Sequence, residues 1–244
     1  MSSPNLLFEI DAISDLALQV MQAVLAKNDE LKEIPEDESG PLALARALSD
    51  YFEIAAALES GAGSMEPDEL DEFCSYGLEL LDRQSFMVRR LGITDQRDRI
   101  ARLFASMGVW IARRDATIDN LDGTADGFGL IVNGLSAPAD LHAICSLLEE
   151  VTVAASKKLQ VDEERGDSWR PWRVINMNAG LAATRSQDPA LMERTFLRMG
   201  RRLPDDMPRF LAHSLRQALA QEAPEASTAV IRRFMQKWPE PAPH

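Results

Sequence analysis

Two stretches near the end of this 244-residue chain are written in one pattern, 35 residues apart. The first runs from Pro189 to Pro204 and the second from Pro224 to Pro239. Both flanking prolines coincide, as do Arg198 with Arg233 and the apolar positions Phe196/Ile231, Met199/Phe234 and Leu203/Trp238. Apolar steps of three and four place each set on one face of a helix. A further helical stretch precedes each copy, over roughly 173–185 and 207–221. A period of two helices closed by proline is the mark of stacked helical hairpins, because each pair must cover its apolar face with the next.

Helical spacing extends through the rest of the chain. Ile10, Ile13, Ala17, Val20, Met21 and Leu25 predict a helix over about 6–27. The acidic, apolar-poor stretch 28–40 reads as a solvated linker, ended by Pro41 at a new helix start. Leu44, Leu48, Phe52 and Ala55 form the inner face of a second helix to about Leu58, and Ser60–Ser64 breaks it. A third helix is expected from Glu66-Pro67 to Leu91, where Gly92 stops it. A fourth spans about 95–114. Residues 115–135 keep a helical spacing in Leu121, Ala125, Phe128 and Val132, against the cost of Gly123, Gly127 and Gly129. A long helix is expected over 138–160, then a polar break to Asp167. The fold class is therefore all-α, with about ten helices. It divides into an acidic N-terminal helical region (1–92) and a helical-hairpin region (93–244), packed together or continuous.

Charge divides the chain differently from fold. Residues 1–82 hold 19 acidic against 3 basic side chains, and residues 83–244 hold 20 against 23, most of the basic ones arginine. Halves of opposite balance attract each other or recruit different partners. The overall charge of −13 disfavours general nucleic-acid binding, which needs clustered positive charge. No apolar run reaches the ~20 residues of a membrane helix. No basic segment precedes the first apolar stretch, so no secretory leader is expected, and Cys74 and Cys145 are too few for a disulfide framework. The cytoplasm is the expected compartment.

The repeated unit resembles a degenerate tetratricopeptide repeat. The carriers are Ala179-Gly180 as the small pair where two helices touch, Phe196 on the second helix and Pro204 closing the unit. Met107-Gly108, with Ile111, Leu121, Ala125 and Phe128, is an earlier candidate. The family's usual Trp and Tyr are missing, so a helical array of other descent satisfies the same pattern. The resemblance implies a concave groove lined by the first helix of each pair. Asn178, Arg209, His213 and Arg216 fall near it, and an amide with guanidinium groups would suit an acidic peptide. Glu33–Glu38 is such a segment, within one chain or between two copies.

Motifs for catalysis are lacking: no P-loop, no dinucleotide fingerprint and no nucleophile elbow occurs. Asp122, Thr124, Asp126 and Gly127 match the first half of a calcium loop, but Gly129 and Asn133 stand where an apolar residue and a bidentate carboxylate belong. His142 and Cys145 share a helix face at metal-ligand spacing, without a second motif to complete a site. Glu149-Glu150 and Glu163-Glu164 read as solvated acidic pairs. No metal or cofactor is implied. Ser168–Arg173 packs Trp169, Arg170, Trp172 and Arg173 into six residues, a composition suited to an interface; Trp172 is expected to be buried and Trp169 the more exposed. Arg194, Arg198, Arg201 and Arg202 line one side of a helix and could grip acidic protein or phosphate. The function expected is a non-enzymatic adaptor or assembly factor that binds another protein, an acidic segment or a second copy. An RNA-associated regulator and a metal-dependent enzyme are the alternatives.

Overall fold

The computed structural model describes residues 6–161 and 167–239. These form α1 (Ile10–Leu31), α2 (Pro41–Glu59), α3 (Pro67–Arg90), α4 (Arg97–Ala112), α5 (Asp122–Gly134), α6 (Pro138–Ala154), α7 (Lys157–Val161), α8 (Pro171–Ser186), α9 (Pro189–Arg202), α10 (Met207–Ala220) and α11 (Glu225–Lys237). A 3-10 turn, Thr94–Gln96, leads into α4, and no strand occurs among the described residues. No helix among them is long and apolar enough to cross a membrane. The expected all-α class holds.

A helix at a protein surface needs one apolar stripe, whereas α4 is buried at every position from Leu103 to Ile111. It packs against α1, α3, α5 and α6. A second inner helix, α8, packs against α5, α6, α9 and α10 through small residues, Ala179, Gly180, Ala182 and Ala183. Thus α5 and α6 each touch both inner helices while touching one another little. The boundary drawn near residue 92 falls in the turn after α3, and α1 and α3 pack on α4 across it.

The glycines that weaken α5 as a helix are what let it approach α4. A Cβ built on Gly127 would lie 2.5 Å from the Ala101 carbonyl oxygen, and one on Gly123 would strike the Phe104 ring. From the other helix, a Cβ on Gly108 would meet the Thr124 methyl at 2.7 Å. Backbones this close gain dispersion contacts that a side chain would exclude. The helix start moves from the expected region near 115 to Asp122. In the preceding loop, Ile118 exchanges backbone hydrogen bonds with the end of α6, its N–H donating to Ala154 and its carbonyl accepting from Ser156. That pairing holds Ala155 extended and splits the expected 138–160 helix into α6 and α7, although no proline or glycine marks the place.

Polar groups tie the outer helices to this frame. The Glu59 carboxylate, at the end of α2, accepts from Ile10 N–H (3.0 Å) at the start of α1, from Trp110 Nε1 (3.1 Å) and from Arg114 (2.8 Å). The Arg114 guanidinium also lies 3.8 Å over the Trp110 ring. The acidic linker is less free than its composition predicts. Helix α1 runs on to Leu31, and buried Asn28 both donates to the Ile34 carbonyl (2.9 Å) and accepts from Ile34 N–H (2.8 Å).

The two repeated helices end alike. Leu203 and Trp238 have similar backbone conformations (φ −133°, ψ 57° and φ −127°, ψ 77°), and each N–H caps the carbonyl four residues back. Phe196 and Ile231 are both fully buried, as are Met199 and Phe234 nearly so. Their starts differ: Pro189 is the first residue of α9, while Pro224 precedes the first residue of α11. Helix α8 packs on α9, α10 on α11, and α9 on α11.

Replacing Gly127 by Ala should destabilise the protein by about 1–3 kcal/mol through overpacking, despite a helix-propensity gain of about 1 kcal/mol. Gly134→Ala, where a Cβ meets nothing within 4 Å, should be neutral or stabilising; urea denaturation of both variants checks the contrast. A second outcome concerns pH. Burial alone would raise the Glu59 pKa, but the hydrogen bonds from Ile10, Arg114 and Trp110 outweigh it and hold it below the ordinary 4.5. A depressed folded-state pKa gives stability that is present above the unfolded value and lost as pH falls through the folded one. Glu59→Gln should therefore cost about 1–2 kcal/mol at pH 7, and the gap to wild type should close progressively below the ordinary glutamate range.

Candidate functional site

The basic C-terminal half spends much of its positive charge on itself. In the segment before α8, the two tryptophans divide as the sequence predicts: Trp172 is buried and Trp169 is 83% exposed. The arginines beside them are engaged. Arg173 donates to Asp206 (2.6 Å) and to the Ser168 carbonyl (2.9 Å). Arg170 is buried, donates to the Asp167 carbonyl (2.7 Å) and reaches Asp206 at 3.5 Å. Asp206 immediately precedes α10, so both arginines fasten the start of α8 to the start of α10. Of the four residues singled out there, Trp169 is the one left facing solvent.

The arginine side of α9 is divided too. Arg202 makes two bonds of 2.9 Å to Glu149 of α6 and reaches Asn176 at 3.3 Å. Arg198 approaches the same carboxylate at 3.4 Å. Arg194 and Arg201 make no hydrogen bond or ion pair among the described residues. Glu150, the other member of the acidic pair, accepts from Arg113 at 2.8 Å, so this pair serves as an internal clamp rather than a solvated face. The Glu163-Glu164 pair and His244 lie outside the described residues.

Helix α10 carries the exposed basic row. Arg209, His213 and Arg216 stand four and three residues apart on its outer face, all exposed and without a hydrogen bond or ion pair among the described residues. Leu219, 54% exposed, continues the row. Asn178 does not join them. It is half-buried against α5, near Gly129, with Nδ2 3.4 Å from the Ala125 carbonyl. Gly180 touches Phe210 of α10, and two residues turn a helix by about 200°, so Asn178 looks away from α10.

The candidate metal ligands point apart. His142 Nδ1 meets Asp188 at 3.0 Å, whereas Cys145 is buried with Sγ 3.4 Å from the Ala179 carbonyl. Burial pushes that thiol up to about 12, so it stays protonated. In the segment resembling a calcium loop, Asp122, Thr124 and Asp126 lie on helix α5, where alternate residues face opposite sides. Thr124 turns inward against Gly108. Among the described residues, no three His, Cys, Asp or Glu side chains gather where a metal ion could sit.

One feature escapes sequence reading. Helices α6 and α9 each pack on α8 far more closely than on each other. Between them lies a groove of about 580 Å³. Cys145, Ala179 and Leu191 lie along its inner side, and Arg113, Glu149, Glu150, Arg194 and Arg198 line it above them. Its walls come from helices far apart in sequence, so no local pattern announces it.

Glu149→Ala should lower stability by about 1–3 kcal/mol, because it strips a half-buried guanidinium of a two-bond partner. Glu225→Ala, which removes an exposed partner of Arg232, should leave the melting temperature nearly unchanged. In comparisons with known proteins, no family model, no curated protein and no solved structure matches this chain.

Proposed function

We propose that this protein is a non-enzymatic adaptor or assembly factor that binds an acidic segment of another protein through the outer face of α10. In this reading α8–α9 and α10–α11 are successive helical hairpins of a repeat-like array, and their stacking turns α10 outward as a recognition helix. The observation that carries the reading is the exposed row Arg209, His213 and Arg216, which has no hydrogen bond or ion pair among the described residues. Arg113, Arg114, Arg170, Arg173 and Arg202 all have carboxylate partners within the chain. Guanidinium groups on one helix face, with no ion pair among the described residues, can donate bidentately to a partner's carboxylates at little reorganisation cost. The exposed Leu219 adds an apolar contact beside them. The acidic total disfavours a nucleic-acid partner, since phosphate binding needs a broad positive field.

The reading is tested by Arg209→Glu with Arg216→Glu. An affinity pull-down from the native host at near-physiological salt should lose the wild-type partners, while helical content and melting are kept. Retention of the same partners by the folded double variant would remove α10 as the binding surface.

A further inference from the structure

Two polar contacts span the gap between α6 and α9. Near the start of both helices His142 meets Asp188 at 3.0 Å, and toward their ends Glu149 meets Arg202 at 2.9 Å. Pairing start with start and end with end means that the two helices run in the same direction. The groove between these brackets follows α6 from Cys145 to Val153 and α9 from Leu191 to Arg198, about two turns of each. Ser146 and Val153, the latter 63% exposed, rise from α6 into it, and Thr195 faces them from α9.

Charge decides what fits there. The two carboxylates lining the groove are already satisfied, Glu149 by Arg202 and Arg198 and Glu150 by Arg113. Arg194 has no partner among the described residues, and Arg198 holds only a 3.4 Å share of Glu149. The unsatisfied charge at the groove is therefore positive, above an apolar floor of Cys145, Ala179 and Leu191. A neutral thiol and a methyl group at the bottom favour an aliphatic side chain. Guanidinium groups at the rim favour carboxylates one helical turn away from it.

We propose that the α6–α9 groove is a docking site for an acidic amphipathic helix of a partner protein, which seats aliphatic side chains between Cys145 and Leu191 and gives carboxylates to Arg194 and Arg198. This is recognition of a helix in a groove. It is separate from the α10 row and stands whether or not that row binds anything.

The test uses a fluorescein-labelled model peptide of about fourteen residues, with leucines at helical i, i+3, i+4 and i+7 spacing and glutamates beside them. A second peptide carries lysine in place of each glutamate. Fluorescence anisotropy with the full chain should show the glutamate peptide binding about tenfold tighter than the lysine peptide. Arg194→Glu should erase that preference, and Ser146→Trp, which fills the groove without changing charge, should weaken both peptides. Both positions are exposed, and unchanged helical circular dichroism confirms each fold; Arg194→Gln serves as the milder variant. All arms are measured in the Arg209→Glu with Arg216→Glu background, which removes the α10 row as a second site for carboxylates, so that the preference read is the groove's own. Equal binding of the two peptides, or wild-type binding by the Arg194→Glu and Ser146→Trp variants, would overturn the proposal. So would sedimentation showing that a second copy of the chain fills the groove and that Ser146→Trp releases it.

Discussion

The structure depends on how closely α4 and α5 approach. Helix α4 is buried around its whole circumference through Leu103–Ile111, where only Ser106 is polar, and such a helix is stable in water only when neighbours cover every side. Helix α5 covers one side with its backbone, because Gly127 lets it sit against the Ala101 carbonyl and Gly123 makes room for Phe104. That contact fixes the position of α5, and α5 with α6 then carries the second inner helix, α8. The C-terminal helices are placed through α8. The cost of Gly123 and Gly127 in a short helix is offset by this packing, which intrinsic propensity does not register.

The chain's electrostatics follow from the same frame. Its acidic N-terminal half meets the rest at a few defined points, Glu59 with Arg114 and Trp110 being the best satisfied. Farther on, Glu149, Glu150 and Asp206 neutralise arginines that would otherwise look like a continuous basic surface. Beside single exposed cations elsewhere, such as Arg46 and Arg97, two groups among the described residues are exposed and without a hydrogen bond or ion pair: Arg209, His213 and Arg216 on α10, and Arg194 and Arg201 on α9. A protein that is acidic overall can in this way present compact basic faces of chosen position. Such faces suit recognition of acidic protein segments better than the extended backbone of a nucleic acid.

Elements with a strong 3.6-residue period were legible in the sequence, because a helix reports its inner face locally. Phe196, Met199, Leu44 and Leu48 are buried as their spacing requires. What the sequence hid came from partners distant along the chain. The break after Ala154 is made by Ile118, 36 positions earlier, and no local residue signals it. Asn178 was placed with the α10 row on the strength of a family register, whereas its amide lies against α5. Arg170 and Arg173 looked like interface residues because composition cannot show that Asp206 waits for them. The α6–α9 groove was invisible for the same reason, since it is a space between elements rather than a property of any one.

Because α4 is buried on every side, it should be the element on which the cooperative fold is built. Native-state amide hydrogen exchange tests it most directly, by comparing each amide's opening free energy with global unfolding measured in denaturant. Leu103–Ile111 should exchange only through global unfolding, and α10 and α11 should open at lower free energy. If α4 amides exchanged through a cheaper local opening while α10 or α11 held the slowest protons, α4 would not be the element that organises the fold.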